Sequence, residues 1–265
     1  VTRLAGAVAV VTGGGSGIGF GIARAMRTAG AEVVLAEYDI ERGSAAAADI
    51  GAAFVRTDVA DAQSVAQLRD EVVSLHGRVD ILVNNAGIGP EARLADMTSA
   101  DWKWLIDVNL WGVINGVSTF LPGLLAQGSG HLVNVSSMSA FAPMSPLGGY
   151  AVTKAGVSAL TEVLQQELIG TGVAATLVTP GPTRTDIGHS LRHRAGESGA
   201  LREFRNAAPD DLFLTADQVG QRVVEGILID EPLVITHPPL WPRVAERHDR
   251  IRAAFTGRRG PDATR

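Results

Sequence analysis

The sequence predicts an α/β fold, a doubly wound three-layer αβα sandwich around a central, mostly parallel, seven-stranded sheet. Three observations predict it. Short β-branched apolar runs alternate with amphipathic helical stretches along the chain, the pattern of repeated βαβ units. The strands read as continuous apolar runs, which a parallel sheet covered on both faces requires. The first strand also runs directly into a glycine-rich turn that opens a helix, as in doubly wound folds that hold an anion at that place.

In order, residues 7–12 form a buried strand and 17–28 a helix. A strand at 32–36, an Ala-rich helix at 41–50, a strand at 53–56, a helix at 61–76 and a strand at 80–83 complete the first half. A long helical region follows at 99–126, interrupted near Asn109, because Asn competes for backbone hydrogen bonds inside a helix. The second half gives a strand at 131–136, a helix at 150–170, a strand at 173–178, a helix at 215–228 and a last strand at 233–236. Right-handed crossovers arrange these as a sandwich. Residues 183–210 are too long for an ordinary connection, and read as a substrate lid or a surface insertion. We expect one catalytic domain over residues 1–240 and an Arg-rich helix or tail over 241–265, carrying Arg243, Arg247, Arg250, Arg252, Arg258, Arg259 and Arg265. That tail reads as a solvated helix or a subunit contact.

Composition excludes several function classes. Apolar residues make up 46% of the 265 and charged residues 19%, which is globular and not disordered. The absence of cysteine removes disulfides, thiolate metal sites and Cys nucleophiles. A net charge of −5 argues against nucleic acid as a general partner. The N-terminus has no basic segment leading into a long apolar one, and no apolar run reaches the length of a membrane span. A cytoplasmic protein with no membrane partner is the expectation.

The turn Thr12-Gly-Gly-Gly-Ser-Gly-Ile-Gly19 marks a Rossmann-type nucleotide site. Gly13, Ser16, Gly17, Ile18 and Gly19 bring backbone close to a pyrophosphate at a helix N-terminus. No Gly-Lys-Ser/Thr ending follows, so this is not an NTPase P-loop. Glu37, after the second strand, can accept hydrogen bonds from an adenosine ribose and would repel a 2′-phosphate. NAD is therefore preferred over NADP, with Arg42 the weaker candidate for binding that phosphate.

Tyrosine and lysine are scarce: besides Tyr150 and Lys154 only Tyr38 and Lys103 occur. At i and i+4 the rare pair shares one helix face. An ammonium can pass a proton along where a guanidinium cannot, and it favours the phenolate of a neighbouring tyrosine. Tyr150 and Lys154 read as an acid/base pair, with Lys154 lowering the phenol pKa.

The chain resembles the short-chain dehydrogenases/reductases of the single-domain type over residues 4–236. The landmarks are residues 12–19, Asp58-Val59, Asn84-Asn85-Ala86-Gly87, Asn109, Asn134-Val-Ser-Ser137, Tyr150–Lys154 and Pro180-Gly181, in family order. The resemblance implies an NAD-dependent oxidoreductase exchanging hydride between nicotinamide and a secondary alcohol or ketone. It implies Tyr150 as acid/base, Lys154 on the ribose, Ser137 on the reacting oxygen and Asn109 holding a water. It places Asp58 and Val59 at the adenine, Asn85, Ala86 and Gly87 in the cofactor cleft, and Pro180, Gly181, Thr183 and Thr185 near the nicotinamide. It also implies a homotetramer or dimer, joined by the helices around Asn109 and after Tyr150, where Gly112 and Gly116 would allow close approach. An NADPH-dependent carbonyl reductase and a non-catalytic nucleotide sensor are the alternatives.

Between Ser137 and Tyr150, Ser139, Phe141, Met144 and Leu147 are candidates for a substrate wall or for core closure. No cation occurs in that stretch, which suggests a neutral, hydrophobic substrate. His189 and His193 lack the intervening Glu and third ligand of a zinc site and read as lid or surface residues, so no metal is expected. Trp102, Trp104 and Trp111 suit core or subunit packing better than cofactor stacking.

Overall fold

Strand β1 (Val8–Thr12) is buried at every position, and its apolar run forms an interior strand of the sheet. β2 (Glu32–Glu37), β3 (Ala53–Arg56), β4 (Ile81–Asn84), β5 (Gly130–Val135), β6 (Val173–Thr179) and β9 (Leu233–Ile235) join it in the order β3-β2-β1-β4-β5-β6-β9. Every neighbouring pair is parallel. This computed structural model describes residues 2–194, 196, 199–205 and 207–257, so Arg258, Arg259 and Arg265 of the basic tail lie outside the described residues.

Helices cover both faces. On one, α1 (Gly17–Thr28), α2 (Ile40–Ile50) and α8 (Ala216–Leu228) bury Ile22, Met26, Ala47, Val219, Val223 and Ile227. The backbones of α1 and α8 meet so closely that a Cβ at Gly21 or Gly220 would run into the opposite chain. On the other face, α3 (Ala62–His76), α5 (Gly112–Gln127) and α7 (Gly148–Glu167) bury Leu68, Val72, Val113, Phe120, Leu124 and Val157. Each core side chain withdrawn from water contributes about 1.5–3 kcal/mol.

The expected interruption near Asn109 is real. α4 (Ser99–Ile106) passes into a π-helical turn, Asp107–Trp111, before α5 continues. Taken together, Ser99–Gln127 is long and apolar enough to cross a membrane by length and composition, which corrects the expectation that no apolar stretch reaches that length. In the structure its apolar side faces the core. Gly112 and Gly116 are also reassigned: Gly112 abuts Val59 and Gly116 abuts Asn84 within the same chain.

The long connection after β6 has more order than the sequence suggests. β7 (Thr183–Arg184) pairs with β8 (Leu214–Thr215), and 3₁₀ turns occupy Asp186–His193 and Asp210–Leu212. A short helix α6 (Met138–Phe141) follows β5, and α9 (Trp241–Thr256) carries the basic C-terminal stretch. Sheet order reverses between β1 and β4, so a crevice opens at the carboxyl ends of those strands, where doubly wound folds bind ligands.

Candidate active site

The floor of that crevice is backbone. Gly13 and Gly17 have φ of +63° and +54°, a region that side chains disfavour. A Cβ at Gly13 would also lie 2.7 Å from Ala86 Cα. Thr12 Oγ1 accepts the Asn85 and Ala86 amides at 3.0 and 3.1 Å, and Asn85 Nδ2 donates to the Thr12 carbonyl at 2.9 Å. The turns after β1 and β4 are thereby stitched together. Ser16 precedes α1 without a side-chain cap, and the first turn of α1 holds no acid. Its free N–H groups and dipole suit a diphosphate.

At the end of β2, the Glu37 carboxylate accepts the amides of Gly15 (3.2 Å), Tyr38 (2.7 Å) and Asp39 (3.2 Å). It is held at the rim with acceptor capacity left for a diol. Arg42 also lines the cleft, but it pairs with Asp186 at 2.9 Å and approaches Asp39 at 3.8 Å. These glycine cradles, the uncapped helix end and the acid at β2 fit an adenine dinucleotide.

The reacting end is made of side chains. Ser137 ends the β5 connection and caps α6, accepting the Ser139 amide at 3.1 Å. Tyr150 and Lys154 sit on successive turns of α7. Ser137 hydrogen-bonds the half-buried Tyr150 phenol, but burial outweighs this and pushes the phenol up. Lys154 is buried, with Nζ 5.8 Å from the Tyr150 ring centroid and donating to the Val135 carbonyl at 2.8 Å. Burial pushes its ammonium down to about 8. The expected lowering of the phenol by Lys154 is therefore not what the protein's own groups produce, because desolvation dominates.

Asn109 is fully buried within the π turn. Its amide accepts from Ile88 N at 2.8 Å and donates to Ile88 O at 2.9 Å and Thr153 Oγ1 at 3.2 Å. It flanks Gly87 opposite Lys154 but does not line the cleft. Gly19 is not at the surface either; a Cβ there would strike Gly13 and Asn85, so it permits packing beneath the turn. The other cofactor positions anticipated from the sequence, from Gly13 through Thr185, do line the cleft.

The cleft has a volume of about 710 Å³. Ser139, Met144 and Leu147 line it, whereas Phe141 instead packs with Met138, Leu240 and Val244. Trp104 reaches the cleft, contrary to a purely structural role, and lies 5.5 Å below the Arg194 guanidinium. Sequence reasoning missed Ser190, Phe204, Arg205, Leu240 and Arg243, which enter from distant segments. The arginines among them bring cations to a cleft whose local sequence has none. His193 lines the adenosine side, edge-on to Tyr38, while His189 pairs with Glu203 at 3.0 Å.

The covering segment is fastened at its ends by charge. Asp186 meets Arg42, which holds its carboxyl below the usual range. Arg194 meets Asp101 at 2.5 Å with both side chains nearly buried. Burial raises the Asp101 pKa, but the Thr98 amide and Arg194 outweigh it and the net shift is downward.

Comparison with known proteins agrees with this geometry. Residues 7–196 match the family model of the short chain dehydrogenases. The chain is 36% identical over 234 residues to "Probable oxidoreductase EphD" of Mycobacterium tuberculosis, covering 84% of this chain and 40% of that protein. It thus spans about two fifths of the length of those mycobacterial relatives. An uncharacterized oxidoreductase of Staphylococcus epidermidis is 37% identical over 182 residues, 68% of this chain and 79% of that one. Among solved structures, a short chain dehydrogenase/reductase from Burkholderia phymatum in complex with NAD superposes with a TM-score of 0.86 at 29% identity, covering both chains fully. A metagenomic short-chain oxidoreductase in complex with NADP gives a TM-score of 0.69 at 30% identity, over 87% of this chain and 92% of that one.

Proposed function

The chain belongs to the short-chain dehydrogenase/reductase family of oxidoreductases, and on that premise we propose that it is an NAD-dependent enzyme interconverting a secondary alcohol and a ketone. The observation that carries the reading is the convergence of the Ser137 hydroxyl, the Tyr150 phenol and the Lys154 ammonium on a cleft floored by the Gly13–Gly17 turn. A non-catalytic nucleotide sensor needs no such convergence.

When bound, the nicotinamide supplies the hydride acceptor in oxidation, the hydride donor in reduction, and in its oxidised form a positive charge. Tyr150, as phenolate, takes the hydroxyl proton of the alcohol while the carbinol carbon loses hydride. In the reverse direction the phenol returns that proton to the carbonyl oxygen. Ser137 donates to the same oxygen as charge builds on it, an interaction that strengthens in the transition state. The phenol pushed up by burial stays protonated, the form needed to give a proton; to act as a base it needs positive charge nearby. Lys154 contributes part of that charge. One of its three N–H groups goes to Val135, leaving two for ribose hydroxyls and for the proton path. With a pKa of about 8 it holds and releases a proton near neutral pH. Asn109 fixes the Ile88 backbone beside Gly87 and so holds the wall that Lys154 faces.

Glu37 supports NAD over NADP, as does the engagement of Arg42 with Asp186 and Asp39. Residues 183–210 act as the substrate lid. Met144, Leu147, Phe204 and Leu240 support a mainly apolar substrate, with exposed Arg205 and Arg243 among the lining residues. A homo-oligomer is the proposed assembly, supported by Trp111 at the end of the π turn and by Val152 and Val163 on α7, each about half exposed.

Kinetics with NAD and NADP over a panel of secondary alcohols tests the reading, with Tyr150→Phe as control. NAD turnover is expected to dominate. The Phe variant should lose about 10²–10⁴-fold in turnover while still binding NADH. A strong NADP preference would sink the cofactor assignment, and near-normal turnover by the Phe variant would sink the role of Tyr150.

A further inference from the structure

We propose that His237 is a positioning residue that sets residues 180–183 against the nicotinamide half of the cofactor, an inference that rests on the dinucleotide reading above. Pro180, Gly181 and Thr183 line the cleft alongside Ser137 and Tyr150. Two prolines flank Gly181, so its N–H is the only backbone donor in residues 180–182. That single donor goes to His237 Nδ1 at 3.0 Å. The other ring nitrogen, Nε2, lies 2.8 Å from the Pro182 carbonyl oxygen.

An amide can only donate and a carbonyl can only accept, so these two contacts require the neutral ring protonated at Nε2. Burial of the imidazole disfavours its cationic form and favours this state. Thr236 Oγ1, 2.6 Å from Nδ1, holds the same ring edge. The approach also depends on glycine, because a Cβ at Gly181 would lie 2.6 Å from His237 Cγ. From the opposite side, the Met138 amide donates to the Pro180 carbonyl at 2.9 Å. The loop is thus gripped between the helix that starts beyond Ser137 and a histidine that follows β9. Among the described residues no other group accepts the Gly181 N–H, so the imidazole fixes that amide, while the Met138 amide on Pro180 and the Leu214 amide on the Pro182 carbonyl at 3.1 Å hold its two neighbours.

The test compares binding of NADH with binding of ADP-ribose, which lacks the nicotinamide, by calorimetry on the full chain. His237→Leu removes both ring contacts and should weaken NADH about tenfold or more, the cost of a buried amide left unpaired. ADP-ribose affinity should stay within about twofold, because it uses the Gly13–Gly19 floor. His237→Asn, whose Oδ1 can replace Nδ1 as acceptor, should recover most of the NADH affinity. His237→Gln, which replaces Nε2 and not Nδ1, should not. If the Leu variant does not fold, the Asn and Gln variants alone decide the matter. Unchanged NADH binding in Leu or Gln, a parallel loss of ADP-ribose, or an Asn variant no better than Gln would overturn the role. A wild-type chain that binds neither ligand would instead remove the dinucleotide reading, and this inference with it.

Discussion

Between Thr12 and Gly19 the cleft is built from backbone; between Asp186 and Phe204 it is built from side chains. In the first region the Thr12 hydroxyl and the Asn85 carboxamide tie the backbone at the end of β1 to the backbone just after β4, and glycines stand where a side chain would collide. In the second, the attachments among the described residues include the Arg42–Asp186 and Arg194–Asp101 pairs, the Gly89 amide on Ser190 Oγ at 3.0 Å and the antiparallel bridge between Glu91 and Arg202. The floor is continuous with the sheet and loses its shape only when the fold does. The cover is attached at separate points, the arrangement a cleft-closing segment needs if it is to open without loss of the fold.

Three substitutions can break or sharpen this contrast. The largest effect is expected at the floor. Gly19→Ala places a methyl against Gly13 and Asn85, and should cost about 1–3 kcal/mol of global stability by overpacking. NADH affinity should fall with the melting temperature. A variant that lost affinity alone would show that the floor moves independently of the sheet.

Arg194→Met acts on the cover. Stranding a buried carboxylate ordinarily costs about 3–5 kcal/mol, but the cover can release Asp101 to water and limit the loss. Substrate KM should therefore rise about tenfold, a loss of ~1.4 kcal/mol, with NADH affinity unchanged. Faster proteolysis within residues 186–205 is the structural readout. A fall in global stability matching Gly19→Ala would erase the distinction between floor and cover.

The smallest effect belongs to Arg42→Ala. Arg42 and Asp186 are 37% and 53% exposed, and such pairs contribute about 0–1 kcal/mol. NAD affinity and turnover should stay within about threefold at moderate salt. A larger loss would mean that Arg42 touches the cofactor directly.

The same contrast explains what could be read from the amino acids. The floor is local: a strand, three consecutive glycines and a helix start within a dozen residues carry its geometry. Tyr150 and Lys154 are local too, one helical turn apart, and their scarcity elsewhere exposed them. The Arg194–Asp101 pair joins residues far apart in sequence, and no spacing rule connects them. His237 carries no motif, because its partner is the backbone of Gly181 and leaves no side-chain signature. Phe141 reads from sequence as either cleft wall or core closure, and one turn of α6 settles it as packing toward Leu240 and Val244. The phenol shift was misjudged for a related reason. Sequence shows which charge is near a titrating group, and burial depends on everything folded around it.

The π turn at Asp107–Trp111 sets the phase of everything that follows it in that helix. One additional residue in a turn rotates the later side chains by about 100° relative to an uninterrupted α-helix. Val113, Phe120 and Leu124 reach the core only because of that offset. Shortening the turn by one residue would make a more regular helix and aim those three side chains elsewhere. The insertion is therefore a frame shift in three dimensions, and the α5 sequence is legible as a core helix only downstream of it.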